Sequence, residues 1–167
     1  MLRSRTFAVM TTLAAFALRA YLAFVWLRFG HAKLEGGWLT TNPLEPLLTM
    51  VGAGQLPSTM PGYAPVARML VSLHGDAVLS IAIPFVEIAI ALAFVSGVRM
   101  RTAALLACAL NANLLMAGVA SWSLDGRMMV LQVLLICAAT LRGSETKYAG
   151  LETLNSELRT DGVHHAR

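Results

Sequence analysis

Charged residues are scarce in this sequence of 167 residues: lysine, arginine, aspartate and glutamate together make up 13% of it. A soluble domain carries about 25% charged and about 45–50% apolar residues, whereas 57% of this chain is apolar. The shortage of charge excludes an ordinary soluble domain and predicts an integral membrane protein. The length indicates a single domain.

Cysteine is also rare, because only Cys108 and Cys137 are present and both fall inside apolar stretches. Without a CxxC pair or a cysteine–histidine array, a dithiol centre, a zinc site and an iron–sulfur cluster all lack their usual ligand pattern. We predict no metal site and no haem motif. We interpret both cysteines as small buried core residues.

The net charge of +4 is not accompanied by a basic cluster interleaved with aromatic residues. We therefore predict no nucleic-acid partner. Arginines that flank membrane helices and face anionic lipid headgroups account for the positive charge. The lipid bilayer is the partner that the composition predicts.

Four apolar stretches are candidates for spanning helices, each of which requires about 20 predominantly apolar residues. They cover residues 7–29, 78–98, 102–123 and 127–141, the last of them short. Because the last three are separated by short turns, we expect them to be antiparallel neighbours. The predicted fold is an all-α four-helix up-down bundle over residues 1–143, followed by a polar tail over residues 144–167.

Basic residues are shared unequally between the two ends of these helices. With the N-terminus inside, eight lie on the cytoplasmic side: Arg3, Arg5, Arg99, Arg101, Arg142, Lys147, Arg159 and Arg167. Four lie on the other side: Arg28, Lys33, Arg68 and Arg127. The excess predicts that both termini are cytoplasmic.

One long connection, residues 30–76, is predicted to lie on the outer face. Glycines and prolines punctuate it, and Pro65 to Gly75 reads as one short amphipathic helix. A structured loop of this length either covers a site or closes one end of the bundle.

Each predicted span carries a polar residue near its middle. Arg19 and Glu87 are predicted to form a buried ion pair, because a lone charge at that depth costs several kcal/mol. Asn113, rather than Asn111, is expected to join them together with Gln132, because its depth matches more closely. Such a layer either locks the packing of the helices, or binds a polar substrate or quinone headgroup, or conducts protons through Glu87.

A second polar group is predicted at the outer end of the first helix, where Arg28, His31 and Lys33 lie close together in sequence. Residues of this kind either anchor a helix at the interface or bind an anion or a quinone headgroup. His31 is the one among them that titrates near neutral pH without perturbation.

Several of these residues also follow a family pattern. Arg19 is followed by Gly30 eleven residues later and by Lys33 three further on, and Glu87 is followed by Gly97 before a basic turn. Further agreements are the GW after the first helix, NANLLMAGVAS in the third and GLE at 150–152. From Arg19 to about Glu152 the chain resembles the DoxX/DoxD membrane family.

The resemblance implies a four-helix membrane subunit related to thiosulfate:quinone oxidoreductase, in a bacterial or archaeal cytoplasmic membrane. A DoxD-type subunit works there with a second subunit to pass electrons from thiosulfate to quinone, so quinone is the implied cosubstrate. The matched positions are Arg19, Lys33 and Glu87.

The resulting hypothesis assigns proton handling to Glu87 and His31. It assigns substrate binding to five residues: Arg19, Lys33, Arg28, Asn113 and Gln132. The alternative is a non-catalytic accessory subunit that stabilises a larger respiratory or photosynthetic membrane complex, which the small size and the lack of redox motifs favour. A transporter is less well supported, because the helices show no inverted repeat.

Overall fold

A computed structural model describes residues 2–56, 59–118 and 126–137 of the chain. All regular secondary structure within these ranges is helical. The helices are α1 (Leu2–Glu35), α2 (Trp38–Thr41), α3 (Leu44–Gly52), α4 (Tyr63–Ser72), α5 (Gly75–Ser96), α6 (Met100–Ala117) and α7 (Arg127–Cys137). The prediction of an all-α chain is therefore confirmed.

Three of these helices are long and apolar enough to cross a membrane: Met10–Glu35 within α1, and the whole of α5 and α6. The fourth predicted span corresponds to α7, which is apolar but too short over its described length to count as one. Residues 138–141 of that prediction, the polar tail at 144–167 and the turn at 119–125 lie outside the described residues. The structure thus shows three candidate membrane-spanning helices, and the four-helix up-down bundle stays a prediction.

Helix α1 continues past its predicted end at residue 29 and stops at Glu35, just before Gly36 and Gly37. Gly30, the first residue of the predicted connection, lies inside α1 and against α5. A Cβ atom added at Gly30 would come within 2.8 Å of Ile88 Cγ1 and 2.9 Å of the Pro84 carbonyl oxygen. The glycine is there for close helix packing and not for a turn.

The long connection is more ordered than the sequence suggested. The single predicted helix at 65–75 is confirmed as α4, but α2 and α3 were missed. Pro46 stands in the first turn of α3, where a missing N–H is tolerated. Side chains of α3 and α4 form an apolar cluster with the end of α6: Leu44, Leu48, Val51, Tyr63, Ala67 and Ala117.

The main core lies where α1, α5, α6 and α7 meet. Its buried members include Leu22, Trp26, Ile90, Phe94, Ala103, Ala104, Ala107, Met128 and Leu135. The alanines of α6 let the neighbouring backbones approach closely, as small residues do in membrane bundles. Large apolar side chains such as Phe16, Phe24, Phe85 and Leu92 are exposed on the outside. A surface of this kind is suited to contact with lipid.

The two cysteines do not share one environment. Cys108 is half-buried, with its Sγ 3.9 Å from the Met129 carbonyl oxygen. Cys137 is exposed, so the prediction that both are buried core residues is wrong for it. On a lipid-facing helix surface a cysteine behaves as a small apolar residue, and burial in protein is not required.

Candidate functional site

The central charged contact joins Lys33 of α1 to Glu87 of α5. The Lys33 ammonium Nζ donates to both carboxylate oxygens of Glu87, at 2.6 Å to Oε1 and 2.7 Å to Oε2. Glu87 is only 3% exposed and lies near the middle of α5. Two charge-assisted hydrogen bonds at these lengths compensate the carboxylate in a setting where a lone charge would be costly.

Two aromatic rings enclose the Lys33 ammonium. Its Nζ lies 5.6 Å from the ring centroid of Phe29 and 5.2 Å from that of Trp38. Both distances fall within the range of a cation–π contact. Because Trp38 belongs to α2, its contact with Lys33 also holds the start of the connecting segment against the bundle.

Arg19 does not pair with Glu87, and that prediction is wrong. Its guanidinium donates to backbone carbonyls at the C-terminal end of α5: Nε and Nη2 to Phe94 O at 3.1 and 3.0 Å, and Nη2 to Val95 O at 3.1 Å. Arg19 does not lie level with Glu87, because α1 extends well beyond the end of α5 and puts Arg19 opposite Phe94. There its charge complements the helix dipole and satisfies free carbonyl groups.

Gly97 provides the space for this guanidinium. Its φ of +75° lies in the left-handed region, and a Cβ added there would be 2.6 Å from Arg19 Nη2. The backbone conformation therefore favours glycine, and any side chain here would have to displace the Arg19 guanidinium.

Asn113 also lies away from Glu87 and Arg19. It accepts a hydrogen bond of 2.6 Å from the Tyr63 hydroxyl, which links α4 to α6. Burial raises the pKa of Tyr63, and the bond to Asn113 offsets part of that rise. Asn111 is the buried one of the two asparagines, so the choice of Asn113 for the midplane layer was wrong.

Gln132 is fully buried, as its predicted place inside the bundle requires. It makes no hydrogen bond to Arg19, Glu87 or any other residue in the described ranges. The predicted continuous layer of Arg19, Glu87, Asn113 and Gln132 is thus absent from the described residues. The four side chains lie in separate environments.

His31 and Arg28 lie on exposed parts of α1. His31 Nδ1 is 3.4 Å from Glu35 Oε2, one turn along the same helix. Arg28 lines a groove of about 480 Å³ together with Tyr21, Phe24, Phe29 and Met128. Within the described part of the chain, neither residue contacts Glu87 by a hydrogen bond or an ion pair.

A polar cluster at the start of α5 was missed. Asn42, which has a φ of 43°, donates from Nδ2 to Asp76 Oδ2 at 2.6 Å and accepts from Ser80 Oγ at 2.9 Å. Asp76 and Ser80 are buried, and the amide of Asn42 binds both, while Asp76 Oδ1 has no hydrogen-bond partner among the described residues. The Asn-Pro pair at 42–43 was an available turn signal, but nothing in the sequence links it to a residue 34 positions away.

Five of the residues that carry the family resemblance meet along one interface between α1 and α5: Arg19, Gly30, Lys33, Glu87 and Gly97. Arg19 lies against Gly97, Gly30 lies against Glu87, and Lys33 binds Glu87. Over the same described ranges no group of three or more histidine, cysteine, aspartate or glutamate side chains is arranged to hold a metal ion. The arrangement can bind and exchange protons and can hold the two helices in register. Comparison with protein-family models, with curated proteins and with solved structures gives no match to this chain.

Proposed function

We propose that this chain is a DoxX/DoxD-type membrane subunit of a quinone-linked oxidoreductase, with the Lys33–Glu87 pair as its proton-handling group. One observation carries the proposal: five positions that resemble the family in sequence, from Arg19 to Gly97, lie together on the α1–α5 interface around this pair. They are dispersed over nearly 80 residues of sequence, so their assembly into one interface is what a shared structural core would produce.

The chemistry of the pair suits proton exchange. Reduction of a quinone to a quinol takes two electrons and two protons, and joining two thiosulfate ions through a new S–S bond releases two electrons. In this proposal the Lys33 ammonium and the Glu87 carboxylate together are the acid–base group that supplies protons to the quinone. In this proposal the membrane is a bacterial or archaeal cytoplasmic membrane, both termini are cytoplasmic, and α2 to α4 lie on the outer side.

The test is thiosulfate-dependent reduction of a short-chain quinone by the purified protein in nanodiscs. We expect Glu87→Gln to lower stability, because Lys33 loses its partner, and to abolish the reaction in the protein that is still helical and monodisperse. Glu35→Gln is the matched control, because it makes the same chemical change at an exposed position of α1. No turnover in the native protein would contradict an enzymatic role of this chain alone, and full turnover in Glu87→Gln would contradict the role of the Lys33–Glu87 pair.

An accessory role in a larger membrane complex is the second candidate. It is favoured by the fact that the charged groups of the α1–α5 interface are already satisfied: Arg19 by backbone carbonyls and Lys33 by Glu87. Mild solubilisation from the native membrane distinguishes the two roles. A stoichiometric partner with a haem or chlorophyll spectrum, together with no thiosulfate-dependent turnover, supports the accessory role.

A further inference from the structure

A cleft lies between α5 and α6 at the end of the bundle where these two helices are joined. It has a volume of about 170 Å³ and is open on one side. Two of its lining residues are polar, Arg99 and Thr102, and the other five are apolar: Ala89, Ile90, Ala93, Ala103 and Leu106. Because α5 and α6 are both long and apolar enough to cross a membrane, an opening on their outer surface faces lipid.

The polar and apolar parts of the cleft lie at different depths. Arg99 stands in the short connection that follows the end of α5 at Ser96, and Thr102 is in the first turn of α6. Ala89 lies seven residues before Ser96, which is about 10 Å further along the helix axis. Both Ala89 and Leu106 are exposed. The cleft is therefore cationic at the membrane end and apolar further in.

No carboxylate in the described ranges balances the charge of Arg99. This arginine forms no ion pair with any residue of those ranges. Glu87 binds Lys33 instead, and it lies nine residues, or about 14 Å, before the end of α5. The remaining described acidic residues are at the opposite end of α5, where α1 ends and α5 begins: Glu35, Glu45 and Asp76.

Arg19 adds a second positive charge at this end of the bundle. Its guanidinium binds the carbonyl oxygens of Phe94 and Val95 in the last turn of α5. Carbonyl groups are neutral, so these hydrogen bonds leave the formal charge of Arg19 in place. The end of α5 that carries the cleft therefore attracts an anion.

An anionic phospholipid matches both parts of the cleft. Its phosphate accepts paired hydrogen bonds from a guanidinium, and a threonine hydroxyl donates one more. Its acyl chain covers apolar side chains that a soluble anion would leave uncovered. A zwitterionic lipid would bring a second cation to the same place. Basic pockets between spanning helices are a general way of binding acidic lipid headgroups.

We propose that the α5–α6 cleft binds one anionic phospholipid. The phosphate lies on Arg99 and Thr102, and part of one acyl chain lies along Ala89, Ala93 and Leu106. General attraction between flanking arginines and lipid headgroups needs no cleft, whereas this site selects one headgroup and holds one molecule. The site depends neither on the redox reaction nor on the Lys33–Glu87 pair.

Native mass spectrometry of the full chain in detergent tests the site, with phosphatidylglycerol, phosphatidylcholine and glycerol phosphate as probes. We expect one phosphatidylglycerol molecule per chain to be retained under conditions in which the other two probes are lost. Arg99→Gln should weaken the binding of phosphatidylglycerol about fivefold or more. Arg101→Gln is the control of equal charge, because Arg101 is outside the lining of the cleft, and it should have a smaller effect.

Ala89→Leu tests the apolar part of the cleft, because it fills the space without altering any charge. It should also weaken phosphatidylglycerol binding. Ala109→Leu is its control, since it makes the same change at an exposed position of α6 outside the cleft. Both alanines are exposed, so neither change disturbs the core.

Three results would overturn the site: equal retention of phosphatidylcholine, equal losses in Arg99→Gln and Arg101→Gln, or retention of glycerol phosphate, which would indicate a site for soluble anions. Unchanged binding in Ala89→Leu would overturn the position of the acyl chain. Thiosulfate and quinone are absent from this assay, so its result is independent of the proposed reaction.

Discussion

Lys33 and Glu87, 54 residues apart in sequence, form a bidentate ion pair with N···O distances of 2.6 and 2.7 Å. The pair crosses from the last turns of α1 to the middle of α5 and is buried on the carboxylate side. This ion pair joins α1 to α5 through opposite charges.

Breaking this pair on one side should destabilise the fold strongly. Removing one partner of a buried ion pair leaves an uncompensated charge and costs about 3–5 kcal/mol. We expect Lys33→Met and Glu87→Leu each to lower the free energy of unfolding by that order, and the double variant to lose less than the two singles combined. Reversible unfolding in mixed micelles measures the free energy of unfolding of the single and double variants. Strictly additive losses would show that the two groups do not stabilise each other.

Gly97→Ala should displace the Arg19 guanidinium. The new Cβ would lie 2.6 Å from Nη2 in a left-handed backbone conformation, and the strain of that conformation costs about 1–2 kcal/mol for an ordinary residue. Arg19→Met should remove the bonds to Phe94 O and Val95 O and lower stability as well. In the Arg19→Met background we expect Gly97→Ala to cost less, because only the backbone strain remains. An equal cost in both backgrounds would contradict the contact.

Gly30→Ala should separate α1 from α5. The added methyl would meet the Pro84 carbonyl oxygen at 2.9 Å and Ile88 Cγ1 at 2.8 Å. Overpacking of this kind costs about 1–3 kcal/mol, of which the higher helix propensity of alanine returns up to about 1 kcal/mol. Ile88→Ala should rescue part of the loss, because it removes the side-chain contact but not the backbone one. Thermal unfolding of the single and double variants measures these changes in stability. An unchanged melting temperature in Gly30→Ala would exclude close packing of Gly30 against α5.

Tyr63 should make the protein sensitive to alkaline pH. Burial raises its pKa above the ordinary value of 10.0, so the folded state favours the neutral phenol. Its contribution to stability is complete below pH 10 and is lost as the pH rises through the raised pKa in the folded state. Tyr63→Phe should cost about 1 kcal/mol at neutral pH and should remove this part of the alkaline loss. Tyr21→Phe, at an exposed tyrosine, is the control, and an identical alkaline slope in Tyr63→Phe would contradict the assignment.

The positions of the apolar helices followed from the sequence because their signal is local. Length and hydropathy were enough to find α5 and α6, and the pattern around Pro65 was enough to find α4. Short α2 and α3 gave no comparable signal, since a four-residue helix has no period to detect. Helix α3 also contains a proline, which argues against a helix unless its position in the first turn is known.

The charged partners could not be assigned by depth alone. Arg19 and Glu87 both lie near the middle of an apolar run, yet the run of α1 overshoots the end of α5, so equal positions in the sequence are not equal heights in the structure. The height is set by contacts such as Gly30 against Pro84, which the sequence does not reveal. Lys33 was placed at the membrane interface for the same reason, although its long side chain reaches the middle of α5.

The long connection between α1 and α5 has a consequence for biosynthesis. Helix α1 ends at Glu35 and α5 begins at Gly75, so Lys33 is made and delivered to the membrane well before Glu87 exists. Until then α1 carries an unneutralised ammonium towards its C-terminal end. The ion pair between α1 and α5 can therefore form only after α5 has been translated. Glu87 therefore determines when α1 and α5 can pair during synthesis, as well as how they pack at the end.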